Sequence, residues 1–125
     1  MWTYESSTGK LYDPFYKYAG VGYSGFGLDK NNPTDENVKD KGPIPTGLYT
    51  IKAPVNSPVH GRYSLPLDPD PTNIMYGRDL FLIHGDSIVD PGTASEGCII
   101  MGYQIRINIW ESGDHRLVVV DKFDG

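Results

Sequence analysis

A mostly β fold with a single helix follows from three observations on this 125-residue chain. Gly and Pro, 15 and 10 residues, make up a fifth of it and fall between short apolar runs, as turns do. Two Trp, nine Tyr and four Phe supply enough aromatic surface for a packed core, so the Gly and Pro content marks turns and not disorder. Only one segment, Gly102–Glu111, has apolar residues at a helical period. The length fits one domain, residues 1–125, with no repeat or linker to divide it.

Taken in order, Tyr4, Leu11-Tyr12 and Gly20-Val21-Gly22-Tyr23-Ser24-Gly25-Phe26-Gly27 predict short strands joined by hairpins. The polar stretch 29–41, with Asn31-Asn32-Pro33, is a loop. Gly42-Pro43-Ile44-Pro45-Thr46-Gly47 is a rigid turn into a strand at Leu48-Tyr49-Thr50-Ile51. Pro54, Pro58, Pro66, Pro69 and Pro71 prohibit a helix and confine a strand at Tyr63–Leu67 to a sheet edge. Leu80-Phe81-Leu82-Ile83 predicts a strand buried on both faces, ending at His84-Gly85-Asp86. Residues 87–97 are small and polar, a loop before the apolar Cys98-Ile99-Ile100-Met101. Between 102 and 111, Ile105, Ile107 and Ile109 alternate like a strand, while Met101, Ile105 and Ile109 share a helical face. Ser112-Gly113 has the form of a helix C-terminus and decides for a helix. Leu117-Val118-Val119-Val120 is a last core strand.

Several function classes are excluded. The net charge is −5 with no Lys/Arg cluster, against the positive footprint that nucleic-acid binding requires. One cysteine rules out an internal disulfide framework and a zinc site built from several thiolates. No apolar run approaches the ~18 residues of a membrane span. The segment Met1–Ser7 has neither the basic start nor the apolar stretch of a secretory signal, which predicts a chain that stays in the cytoplasm or is exported by a route that reads no such peptide. His60 and His115 have no ligand-like spacing and are expected as ordinary surface groups. Asp68-Pro69-Asp70 lacks the further oxygens of a calcium loop, so neither metal nor cofactor is expected.

One constellation carries chemistry: His84 at the end of a buried strand, and Ser95-Glu96-Gly97-Cys98 shortly after it. A thiol attacks as thiolate, and a nearby imidazole is the usual group to take its proton. Gly97 permits the tight backbone bend that turns amides toward a developing oxyanion. A buried structural cysteine and a hydrogen-bonded core histidine are the other reading of the same residues.

Phe81-Leu82-Ile83-His84-Gly85, followed by Ser95-Glu96-Gly97-Cys98-Ile99, resembles the catalytic segment of the L,D-transpeptidase (YkuD-type) family. Upstream, Ile44-Pro45-Thr46-Gly47-Leu48-Tyr49-Thr50-Ile51 is similar to a second motif of that family. Gly22-Tyr23-Ser24-Gly25, Asn31-Asn32-Pro33, Gly77-Arg78 and Ala94–Cys98 resemble the small L,D-transpeptidase effectors of type VI secretion, over nearly the whole chain. Two positions depart from the wider pattern: Glu96 stands where a second histidine is usual, and Ile100 where an arginine often binds a carboxylate.

The resemblance implies a YkuD-like β-sandwich or sheet with its main helix after the catalytic cysteine. It implies that Cys98 attacks the carbonyl before the terminal D-Ala of a peptidoglycan tetrapeptide stem. His84 would move the proton, the Gly85 carbonyl would orient the imidazole, and the amides of Gly97 and Cys98 would form the oxyanion hole. Water then completes an L,D-carboxypeptidase reaction, and a free D-amino acid completes an exchange. Ser95 is expected to order the loop, Asp86 to order it or touch substrate, and Tyr23 to line the cleft. Arg62 and Arg78 are candidates for the charge missing at Ile100. The resemblance further implies an antibacterial toxin delivered to a target cell's periplasm by a secretion-system component, a cognate immunity protein, and a monomer. An inactive peptidoglycan- or peptide-binding module and another cysteine amidohydrolase are the alternatives; against the papain type, His84 precedes Cys98.

Overall fold

The computed structural model describes residues 1–124 as a mostly β fold with one α-helix after Cys98. Ten strands form a mixed sheet: β1 (Trp2–Glu5), β2 (Lys10–Tyr12), β3 (Tyr18–Val21), β4 (Tyr23–Ser24), β5 (Gly47–Ile51), β6 (Val55–Ser57), β7 (Gly61–Pro69), β8 (Leu82–His84), β9 (Ile99–Ile100) and β10 (Arg116–Val120). Their spatial order is β3-β2-β1-β10-β5-β7-β8-β9-β4, with β6 paired to β7. The pairs β1–β10 and β8–β9 are parallel, and the others are antiparallel.

The apolar alternation of β10 sets the middle of the sheet. Leu117 and Val119 face the core, where Tyr4 of β1 and Tyr49 and Ile51 of β5 lie on either side. The expected hairpins between β1, β2 and β3 are present, and residues 29–41 form a loop containing a short 3₁₀ turn. The Gly102–Glu111 ambiguity resolves as a helix, α1 (Tyr103–Glu111), ending at Ser112 with Gly113 at φ 75°. It packs over β7 and β8 and buries Ile109.

Two expectations are corrected. The strand among the prolines is not an edge: β7 is the longest strand and runs between β5 and β8. Pro66 is tolerated because it faces Leu82 at a position without ladder bonds; the neighbouring Leu67 donates to Phe81 O at 2.9 Å. On its other side Pro66 presents only its carbonyl, which accepts the Lys52 N–H at 2.8 Å. The second correction concerns Leu80, which is 84% exposed at φ 63° and lies before the strand. The left-handed residue turns the chain so that Phe81 enters the core and β8 begins at Leu82.

Arg106 on α1 is buried, and its guanidinium and Nε–H groups donate to the carbonyls of Tyr63, Arg62 and Met101. No carboxylate pairs with it among the described residues. Three main-chain carbonyls, from the β7 strand and the turn before the helix, converge on this cation and fix α1 over the sheet. Arg106→Met keeps the aliphatic volume but leaves those carbonyls unpaired, so it is expected to cost about 3 kcal/mol. Urea unfolding measures this, and a midpoint equal to the wild type's would contradict the assignment.

Candidate active site

The parallel pairing of β8 and β9 brings the two motif halves together. Ile83 pairs with Ile99 and His84 with Ile100, so Cys98 lies beside Leu82, two residues before His84 on the neighbouring strand. The Cys98 Sγ accepts the Leu82 N–H at 3.3 Å and is 3.9 Å from Leu80 O. The left-handed turn at Leu80 therefore places a carbonyl and an N–H around the sulfur. His84 is buried, with its Nδ1 2.9 Å from Gly85 O. Since a carbonyl only accepts, Nδ1 carries the proton and Nε2 is the basic nitrogen. Nε2 is buried and has no hydrogen-bond partner among the described residues.

Burial sets the charge state of this pair. It pushes the Cys98 thiol up to about 11, with the Glu96 charge adding to the rise; the Leu82 N–H and the charge of Arg78 work the other way. Burial pushes His84 down to about 4 despite the bond to Gly85, and charge on Arg106 or at His60 acts in the same direction. At neutral pH the site therefore rests as a neutral thiol and a neutral imidazole, not as an ion pair.

The loop that carries Cys98 is tied by two buried serines. Ser95 Oγ donates to Cys98 O at 2.6 Å and accepts the N–H groups of Gly25 and Gly97 at 2.9 and 3.0 Å. Ser24 Oγ donates to Gly97 O at 2.9 Å and accepts the Ile44 N–H at 2.8 Å. Gly97 has φ 138°, and a Cβ there would meet Arg78 Nη2 at 2.5 Å and Phe81 Cε1 at 2.8 Å. The structure changes one part of the sequence reading. The Gly97 N–H is already held by Ser95, and of the two amides assigned to the oxyanion hole only that of Cys98 makes no hydrogen bond among the described residues.

Arg78 is also corrected. It is buried, and its guanidinium donates to the carbonyls of Glu36, Gly42, Pro43 and Glu96 while lying over the Phe81 ring. A buried guanidinium with both terminal nitrogens spent on four main-chain carbonyls is a loop anchor, not a substrate-facing charge. Arg62 is different: it is exposed, stacks 4.1 Å above the Tyr103 ring and has no carboxylate partner among the described residues. It lines a cavity of about 570 Å³ together with Tyr23, Gly85, Asp86 and Tyr103. A second cavity of about 360 Å³ is lined by His60, His84, Gly85, Asp86 and Glu96.

Asp86 separates the two cavities and orders the loop after β8. It accepts the Tyr23 O–H at 2.6 Å and the N–H groups of Ser87 and Gly92 at 2.8 and 3.1 Å. Burial pushes its carboxyl up, but these bonds outweigh it and hold the pKa below the usual range. Tyr23 in turn accepts the Ala94 N–H at 2.9 Å, and burial together with Asp86 pushes its phenol up to about 12. Tyr23 thus both lines the larger cavity and ties the loop to β4.

Sequence reasoning missed three residues. His60, expected at the surface, is half-buried and stacks on His84 with ring centroids 4.3 Å apart. Arg106 passes beneath Gly85, where a Cβ would meet its Nη1 at 2.9 Å. Ser24 was visible only as part of the Gly22–Gly25 motif, with no role assigned to it. The fold brings His60 onto His84, Arg106 under Gly85 and Ser24 onto the Gly97 carbonyl. Among the described residues no group of His, Cys, Asp and Glu side chains has the arrangement of a metal site, and no helix is long and apolar enough to cross a membrane.

A family model described as the Tlde1 domain matches residues 19–121, well over half of the chain. Comparison with curated proteins and with solved structures gives no match.

The charge state has a direct readout in alkylation by a small thiol reagent. Thiolate is the reactive form, and a thiol pushed up to about 11 yields more of it as pH rises. The modification rate of Cys98 is expected to climb about tenfold per pH unit from 7 to 9 without levelling off. A plateau reached by about pH 6 would indicate a resting thiolate–imidazolium pair and contradict the neutral one.

Proposed function

The chain belongs to the Tlde1-domain family, a type VI secretion L,D-transpeptidase effector family, and from that premise we propose that it cleaves peptidoglycan tetrapeptide stems by cysteine acyl transfer. The observation that carries the reading is the Nδ1–Gly85 bond, which leaves a basic Nε2 unpartnered at the end of β8, the strand whose parallel partner β9 follows Cys98 directly.

In the proposed reaction, Cys98 Sγ leaves its Leu82 hydrogen bond and attacks the carbonyl carbon that precedes the terminal D-Ala. His84 Nε2 takes the thiol proton as the S–C bond forms. The Cys98 N–H faces the developing oxyanion. The C–N bond then breaks, and the departing amine of D-Ala takes the proton from His84, leaving a thioester on Cys98. Water attacks that thioester with His84 again as base; the S–C bond breaks and the thiol is restored. Overall, water is consumed and D-Ala released, an L,D-carboxypeptidase reaction. A free D-amino acid attacking in place of water gives exchange. The neutral resting pair suits this sequence, because His84 is unprotonated and ready to accept.

Arg62 is the residue best suited to hold a substrate carboxylate. Its stack on Tyr103 orients the guanidinium, and Ile100 is buried and apolar where a charge was expected. Either outcome removes the tetrapeptides that wall growth uses, which makes the protein a toxin in a target cell's periplasm. That role calls for an immunity protein in the producer and a secretion-system component for delivery.

Mass spectrometry of purified tetrapeptide muropeptides tests the reading. The wild-type protein is expected to remove one terminal alanine and Cys98→Ala none. In the same assay Arg62→Gln raises KM about tenfold or more, the value of one lost charge-assisted bond. Masses left unchanged by the wild-type protein would overturn the proposed activity.

A further inference from the structure

The turn between β6 and β7 places a second imidazole on the first. The His60 and His84 rings have centroids 4.3 Å apart and planes inclined by 28°. This position is built, not incidental. Ser57, at the end of β6, accepts the N–H groups of Val59 and His60 on its Oγ at 3.2 and 2.9 Å. β7 leaves the turn at Gly61 and pairs with β8 at Leu65–Ile83, so the start of β7 lies beside the end of β8, where His84 sits. Both rings line the same 360 Å³ cavity.

A single bond to Gly85 fixes which nitrogen of His84 is protonated but not the plane of the ring. A stacked neighbour supplies that second constraint. It also brings charge. The groups that face His84 are His60 across the stack, Arg106 from α1 and Asp86 from the loop after β8, with Glu96 on the cavity wall. A proton on His60 or the charge of Arg106 opposes an imidazolium at His84, and Asp86 favours it.

We propose that His60 is a positioning residue for His84: its stack fixes the His84 ring plane, and its charge governs how readily Nε2 accepts a proton. The proposal rests on the reading of His84 as the general base. During attack, His84 must hold the thiol proton until the amine departs. With His60 neutral that intermediate state is accessible, and with His60 protonated two like charges share one stack.

Two variants separate the stack from the charge: His60→Phe keeps a flat ring without a proton, and His60→Ala removes both. The ring carbons of His84 are followed by NMR against pH in a Cys98→Ala background, and kinetics are measured on the tetrapeptide with Cys98 intact. The His84 midpoint is expected to rise in His60→Phe, as the opposing charge is lost, and further in His60→Ala, as solvent reaches the ring. In His60→Ala kcat falls about tenfold with KM nearly unchanged. His60→Phe keeps the ring contact and recovers kcat at neutral pH. A His84 midpoint and kcat–pH profile unchanged by both substitutions would overturn the proposal. Shifted midpoints in proteins that never turn over peptide, wild type included, would uphold the coupling of the rings and remove the hydrolytic reading instead.

Discussion

The candidate site depends on how the main chain of residues 94–98 is satisfied. This stretch is largely buried yet belongs to no helix or strand, so its N–H and C=O groups lack the partners that a ladder supplies. Side chains provide them: Ser95 and Ser24 take the polar groups of Gly97 and Cys98, Arg78 takes the Glu96 carbonyl, and Tyr23 takes the Ala94 amide. Arg78 and Ser24 reach at the same time into residues 42–44, which lead toward β5. The cysteine loop and the proline turn upstream are therefore one hydrogen-bonded body, which joins Gly22–Gly25, the start of the Ile44–Ile51 segment and the cysteine segment through main-chain groups. They are neighbours in space through main-chain bonds, and a change in one leaves buried polar atoms unpaired in another.

A rigid, desolvated loop has an electrostatic consequence. Burial disfavours charge on both Cys98 and His84, and the hydrogen bond from Leu82 to the sulfur only partly offsets it. In the proposed reaction the thiol is thereby kept from reacting until a proton acceptor and a carbonyl carbon are both in place. His84 is held neutral by the same burial, by Arg106 beneath Gly85 and by His60 on its face.

Much of this was legible in the sequence because it is local. The His84-Gly85 and Gly97-Cys98 pairs stand within single segments, and the helix after Cys98 announced itself by Ser112-Gly113. Apart from Leu80, the corrections are matters of long-range pairing. Nothing around Arg78 reveals that four carbonyls from three segments converge on it, so a charged residue near the site was read as a substrate contact. The prolines of β7 looked like edge markers because the sequence does not say which side of each residue faces a partner; Pro66 sits where no ladder bond is made. Leu80 continued an apolar run by composition, and only its left-handed backbone shows that the run is broken there. His60 was read as solvent-facing because a turn residue gains a partner only when the neighbouring strand is known.

In the proposed reaction Cys98 is the group that carries the acyl chain. Intact-protein mass spectrometry after rapid acid quench of a tetrapeptide reaction tests this most directly. The predicted result is a transient adduct equal in mass to the tripeptide acyl group, mapped to Cys98 and absent from Cys98→Ala. Release of alanine by the protein lacking Cys98, or an adduct mapped to another residue, would contradict it.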